Sequence, residues 1–164
     1  MINVLVFIIF LYMIMSIYEW CIHRFFMHSD YSMFKELREQ HRKHHEECSR
    51  YRGVSWTGVY YGWDFLLYVF LSSFPFVYIL SRFTNISLWF TIIIHLIMIY
   101  LFIAVHNDFH GRLHFQNPYK EPGIPYLHIP DWLMKYHKKR HTEHHLTHDK
   151  NFCTIFVGFD HIIE

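Results

Sequence analysis

Three stretches of the chain run without a charged residue: Ile2–Tyr18, Phe65–Ser81 and Phe83–Val105, of 17, 17 and 23 residues. None shows the polar stripe that a helix at the surface of a water-soluble protein needs. At about 1.5 Å of rise per residue, about 17 helical residues reach roughly 25 Å, enough for a thin bilayer core. The pattern predicts an all-α integral membrane protein, one domain over residues 1–164, with about three transmembrane helices near 2–18, 65–81 and 83–105. The first stretch has no basic leader and no small-residue cleavage site, so a retained helix is expected rather than a signal peptide. Residues 19–62 and 106–164 are polar and rich in histidine, and are expected to form a helical cap on one membrane face.

Charge assigns that face. Seven of the 15 basic residues, Arg24 to Arg52, lie between the first and second stretches. Seven more, Arg112 to Lys150, follow the third, and Arg82 alone sits in the short link between the second and third. With three crossings both large blocks share a face, and the positive-inside rule makes it cytoplasmic. That face borders the cytosol at the endoplasmic reticulum if the source is eukaryotic, or at the inner membrane if bacterial. Net charge is only +1, so nothing points to a nucleic-acid partner. The three cysteines, Cys21, Cys48 and Cys153, form no CxxC pair and read as reduced thiols.

Sixteen histidines change the picture more than charge does. All but His95 fall in the two polar blocks, ten of them in four clusters: "HRFFMH" (His23, His28), "HRKHH" (His41, His44, His45), "HNDFH" (His106, His110) and "HTEHH" (His141, His144, His145). Positions i, i+3 and i+4 share a helix face, so the second and fourth clusters can each aim three imidazoles at one point, and the third can aim two. His23 and His28 are five apart, about 140° around a regular helix, and need a helix end, a bulge or two metals on different sides. Ten imidazoles exceed the needs of one ion and suit two, with about five nitrogens each. All-imidazole sites fit iron, zinc, copper or nickel and argue against magnesium or calcium. A solvated histidine-rich face or a pH sensor is the plainer alternative. Four clusters on one membrane face favour metal.

The order H-x4-H, H-x2-H-H, H-x3-H, H-x2-H-H after membrane helices resembles the fatty acid hydroxylase/sterol desaturase superfamily, whose relatives include sterol methyl oxidases and carotenoid hydroxylases. "EWCIHRFFMH" is similar to the family's E-x-x-x-H-R-x-x-x-H opening. "HHEECSRYRGV" and "KKRHTEHHLTHDKNFCTIFVGFD" resemble segments of the fatty acid 2-hydroxylases, and the likeness covers about residues 19–163. It implies a membrane di-iron oxygenase that hydroxylates, or sometimes desaturates, a lipid carbon with O2 as co-substrate and two electrons. The implied ligands and catalytic residues are His23, His28, His41, His44, His45, His106, His110, His141, His144 and His145. Zinc can occupy the same ligands in purified protein. An unactivated C–H bond has no acidic proton, so the chemistry needs a redox metal rather than acid–base catalysis. No haem domain is fused to this chain, so a separate electron donor such as a b-type cytochrome or ferredoxin is implied. The chain's shortness is closer to the carotenoid hydroxylases, and the 30-residue link from His110 to His141 is longer than in the 2-hydroxylases. That link is expected to form an interfacial loop, with Tyr126 and Trp132 as anchors.

The remaining polar residues take lesser roles. Glu19, Asp108, Glu143 and Asp160 are candidates to orient imidazoles. His114, His137 and His148 are expected at the surface or just outside the ligand shell, and His128 and His161 are expected to be structural. His95, roughly 16 Å along the helix from His106, reads as a hydrogen-bonded core histidine or a tunnel lining. A lipid hydroxylase is the favoured function, ahead of a sterol or carotenoid oxidase of the same superfamily. A metal transporter or metal store would place ligands inside the membrane path, where only His95 stands. A zinc hydrolase would need a carboxylate base beside its metal, and Glu143 is the one candidate within a motif.

Overall fold

The computed structural model describes residues 2–30, 34–51, 55, 59, 61–114 and 129–163. The described residues form helices and no strand. α1 spans Ile2–Cys21 and runs directly into a π-helical segment, Ile22–Met27. α2 follows at Lys35–Arg50, α3 at Trp63–Thr84, α4 at Leu88–His114, α5 at Asp131–Thr147 and the short α6 at Asp160–Ile163. Tyr126 and His128 lie outside the described residues, as does most of the long loop, while Trp132 is 70% exposed.

Among the described residues, three helices are long and apolar enough to cross a membrane: Asn3–Met27, Asp64–Thr84 and Leu88–His114. α3 packs between α1 and α4. Phe7, Leu11 and Met15 of α1 meet Val69 and Val77 of α3 and Ile99 and Phe102 of α4 in one apolar core. The outward faces stay apolar, with Leu71, Phe76, Phe83 and Trp89 all exposed. Such a belt suits lipid, not water.

Three expected boundaries move. The turn between the second and third apolar stretches falls at Asn85, not Arg82. Asn85 adopts a left-handed conformation (φ 53°), and the amides of Asn85 and Ile86 bond back to the carbonyls of Arg82 and Ser81. That is a helix stop which Asn tolerates and β-branched residues do not. Phe83 therefore belongs to α3, and the next helix starts at Leu88. α4 also continues unbroken to His114, past the expected end of the span at Val105. The apolar run ends there, but the backbone hydrogen-bond ladder has no reason to. α1 likewise passes its expected end at Tyr18 and carries His23 on the same helical rod.

Candidate metal centre

The π-helical segment answers the five-residue spacing of His23 and His28. Hydrogen bonding from i to i+5 widens the turn and brings residues five apart much closer to one face than an α-helix does. The His23 and His28 rings accordingly stack at 5.2 Å, with 24° between their planes. α2 presents His41, His44 and His45 on one face, all buried, and α5 presents His141, His144 and His145. α2 packs on the π-helical segment and on α5, and α5 packs on the end of α4.

These elements gather the imidazoles into two neighbouring nests. In the first, ligand atoms of His23, His28, His41, His45 and His144 lie within 4.8 Å of one another. His41 Nε2 sits 3.0 Å from His23 Nε2, 3.1 Å from His28 Nε2 and 2.9 Å from His45 Nε2, and His28 Nε2 is 3.2 Å from His144 Nε2. The second nest combines His44, His110, His114 and His141, and an overlapping group joins His44, Cys48, His114 and His145. There His44 Nε2 lies 3.2 Å from His145 Nε2, which is 3.1 Å from His141 Nε2.

No arrangement of protons satisfies the first nest by itself. A neutral imidazole nitrogen either donates or accepts, and His41 Nε2 faces three others. A cation that takes all the lone pairs removes the conflict. Two outer contacts already orient the rings for this. Nδ1–H of His23 donates to the Phe152 carbonyl at 2.5 Å, and Nδ1–H of His144 donates to the Lys150 carbonyl at 2.9 Å. Each leaves its Nε2 as a bare lone pair, the usual outer support of a metal-bound histidine. Burial, with repulsion from neighbouring imidazolium, pushes His28 down to about 4 and His144 to about 3, and holds His41, His45, His141 and His145 well below the usual histidine range. All are neutral at pH 7, as ligation requires. The buried histidine clusters can hold a metal ion.

The carboxylates act at one remove from the rings. Glu19, 1% exposed, accepts the amides of Thr154 and Ile155 on one oxygen and of Phe156 on the other, at 2.6–2.9 Å. Asp160 accepts the Cys153 amide at 2.9 Å and pairs with Arg140 at 3.2 Å. Together they pin the segment whose carbonyls at 150 and 152 orient His144 and His23. Asp108 pairs with Arg112 at 2.8 Å, and Glu143 accepts the Asn151 side-chain amide.

Of the ten expected ligands, nine fall in the two nests. His106 does not: it is buried one turn up α4, tilted against Tyr61 at 4.3 Å and stacked on His110 at 5.1 Å. His114, expected at the surface or just outside the ligand shell, is instead 6% exposed within the second nest. Its signal was present in the sequence, since His106, His110 and His114 repeat every four residues along one helix face. Cys48 was missed for the same reason, standing one turn beyond His44. His137 is buried, edge-on to Phe109 at 5.0 Å, with a hydrogen bond to the Thr154 backbone. His148 ends α5 in a left-handed conformation and stands exposed, its ring 4.6 Å from that of His45. His161 is exposed and pairs with the Tyr136 hydroxyl at 2.5 Å. His95 is a fully buried core histidine, paired with Ser73 at 2.8 Å.

An open cavity of about 640 Å³ reaches the first nest at His28, His41 and His45, with a rim that includes Arg38, Arg42 and His148. The second nest does not line it. No family model, curated protein or solved structure matches the chain.

Proposed function

We propose that the protein is an integral-membrane oxygenase that hydroxylates a lipid C–H bond, using two metal ions, O2 and two electrons from a separate donor. The observation that supports this most is the pair of adjacent lone-pair nests at the ends of apolar helices. His23, His28, His41, His45 and His144 would hold one ion. The other would be held from among His44, His110, His114, His141 and His145. Iron is the metal implied by the motif resemblance, and bound there it would supply the O2 activation that no side chain provides. The protein's own part is to keep the imidazoles neutral, fix their tautomers through the Phe152 and Lys150 carbonyls, and hold the site beside a membrane where lipid tails are at hand. The cavity at His28, His41 and His45 gives small polar species a way to the first ion. By the distribution of basic residues, the histidine-rich ends face the cytoplasm.

The test is the source of the new oxygen. An expressing host is given labelled O2 in ordinary water, and its lipids are read by mass spectrometry. An enzyme-dependent hydroxyl that carries the label is expected. A hydroxyl oxygen drawn from water would point to a metal-bound water nucleophile and overturn the oxygenase. An added double bond without oxygen would move the reaction to desaturation at the same centre.

A further inference from the structure

The second nest does not have uniform ligand spacing. Nitrogens about 2.1 Å from one ion, at 90–120° to each other, lie about 3.0–3.6 Å apart, and a sulfur at about 2.3 Å lies about 3.1–3.8 Å from its nitrogen neighbours. The contacts of the first nest, at 2.9–3.2 Å, fall at or beside this range. His114 Nε2 and His141 Nε2 are 2.6 Å apart, which is too close for two ligands of one ion and fits only a short hydrogen bond. One of these two nitrogens therefore carries a proton. With the proton on His114 Nε2, the lone pair of that ring is on Nδ1, and Nδ1 faces Cys48 Sγ at 3.3 Å. The same sulfur is 3.9 Å from His44 Nε2, just beyond the range and within a small side-chain adjustment of it, and His44 Nε2 is 3.2 Å from His145 Nε2. Ligand atoms of all four residues lie within 4.8 Å of one another.

From these distances we propose that the second ion is bound by a thiolate: Cys48 Sγ, together with His44, His145 and Nδ1 of His114, in a four-coordinate site. This rests on the reading that both nests bind metal. When the ion binds, the Cys48 thiol loses its proton to solvent. His114 keeps its own proton on Nε2 and donates it to His141 Nε2. Cys48, His44 and His114 are 3%, 1% and 6% exposed, His145 is partly exposed, and no member of the set lines the cavity. The site is the more enclosed of the two, whereas the all-imidazole site opens to the cavity. Closed and open sites divide structural from reacting metals in other proteins. The two ions here are therefore unequal, with the thiolate-bound one shielded.

The full-length protein, stripped of metal and titrated with Co²⁺, tests this by absorption spectroscopy. Two cobalt ions per chain are expected, with a sulfur-to-cobalt charge-transfer band that Cys48→Ser abolishes and that Cys21→Ser and Cys153→Ser keep. X-ray absorption on the loaded wild-type protein needs no variant and should show a metal–sulfur distance of about 2.3 Å. Two bound ions with neither band nor sulfur shell overturn the thiolate ligand and leave the two-ion centre standing. A band that survives Cys48→Ser assigns the sulfur elsewhere and also overturns it. Failure of wild-type protein to bind cobalt overturns both readings.

Discussion

His144 illustrates what a single residue contributes. Its ring is fully buried, its Nδ1–H is spent on the Lys150 carbonyl, and its Nε2 faces His28. Protonating it would put a charge where water cannot reach, so burial first and neighbouring imidazoles second lower its pKa to about 3. A folded-state pKa below the unfolded value of about 6.5 means that the unfolded chain takes up the proton first as pH falls. The metal-free protein should therefore lose stability as pH drops from about 6.5 towards 3. His144 alone would account for a loss on the order of 4 kcal/mol over that window. Thermal unfolding of metal-free protein in detergent between pH 7 and pH 4 measures it, and a melting temperature flat over that range would contradict it. Which imidazoles converge was partly legible at this scale. H-x2-H-H and H-x3-H announce shared helix faces, but nothing in the spacing says whether the ring level with the site is His106 or His114. That depends on how far α4 slides past α2 and α5.

The π-helical segment is the element on which the first nest depends. A regular α-helix from Ile22 to Met27 would separate His23 and His28 by about 140°, and the wider winding brings them into a stack. The extra residue per turn makes a specific prediction possible. Deleting Phe25, whose side chain is 53% exposed, leaves the two histidines four apart, a spacing that an ordinary α-helix also places on one face. The deletion should retain metal binding at the first nest. Inserting an alanine after Phe25 makes the spacing six and should cost the protein one bound ion. Elemental analysis of both variants against wild type, with helicity checked by circular dichroism, distinguishes them. Equal metal content in wild type and the insertion variant would show that the stacked geometry is not what holds the ion. The sequence demanded some irregularity here. It did not choose among a helix end, a bulge and two separate metals, because backbone hydrogen-bond register is decided by what packs around it, here Trp20 against Phe25, Phe152 and Phe159.

For the whole molecule, three helices in series long and apolar enough to cross a membrane would, as spans, put the N-terminus and the C-terminal histidine clusters on opposite sides of a bilayer. Fourteen of the 15 basic residues flank the histidine-bearing ends. In sealed vesicles with the cytoplasmic face outward, a C-terminal tag should be cut by added protease, and an N-terminal tag should be protected until detergent is added. The reverse pattern would invert the orientation. The all-helical architecture and the three candidate spans were determined by the sequence alone, because each apolar run satisfies its own backbone hydrogen bonds and needs no distant partner to be a helix. The histidine-rich chemistry was equally visible, because residue type and helical spacing are local. Only the tertiary structure decided the rest. It divided the imidazoles between two nests, left His106 out and brought His114 and Cys48 in. It also made Glu19 the anchor of residues 154–156, the neighbours of the carbonyls that orient His23 and His144. Each of these depends on contacts between residues more than a hundred positions apart or on the sliding of one packed helix past another, and no local pattern encodes such distances.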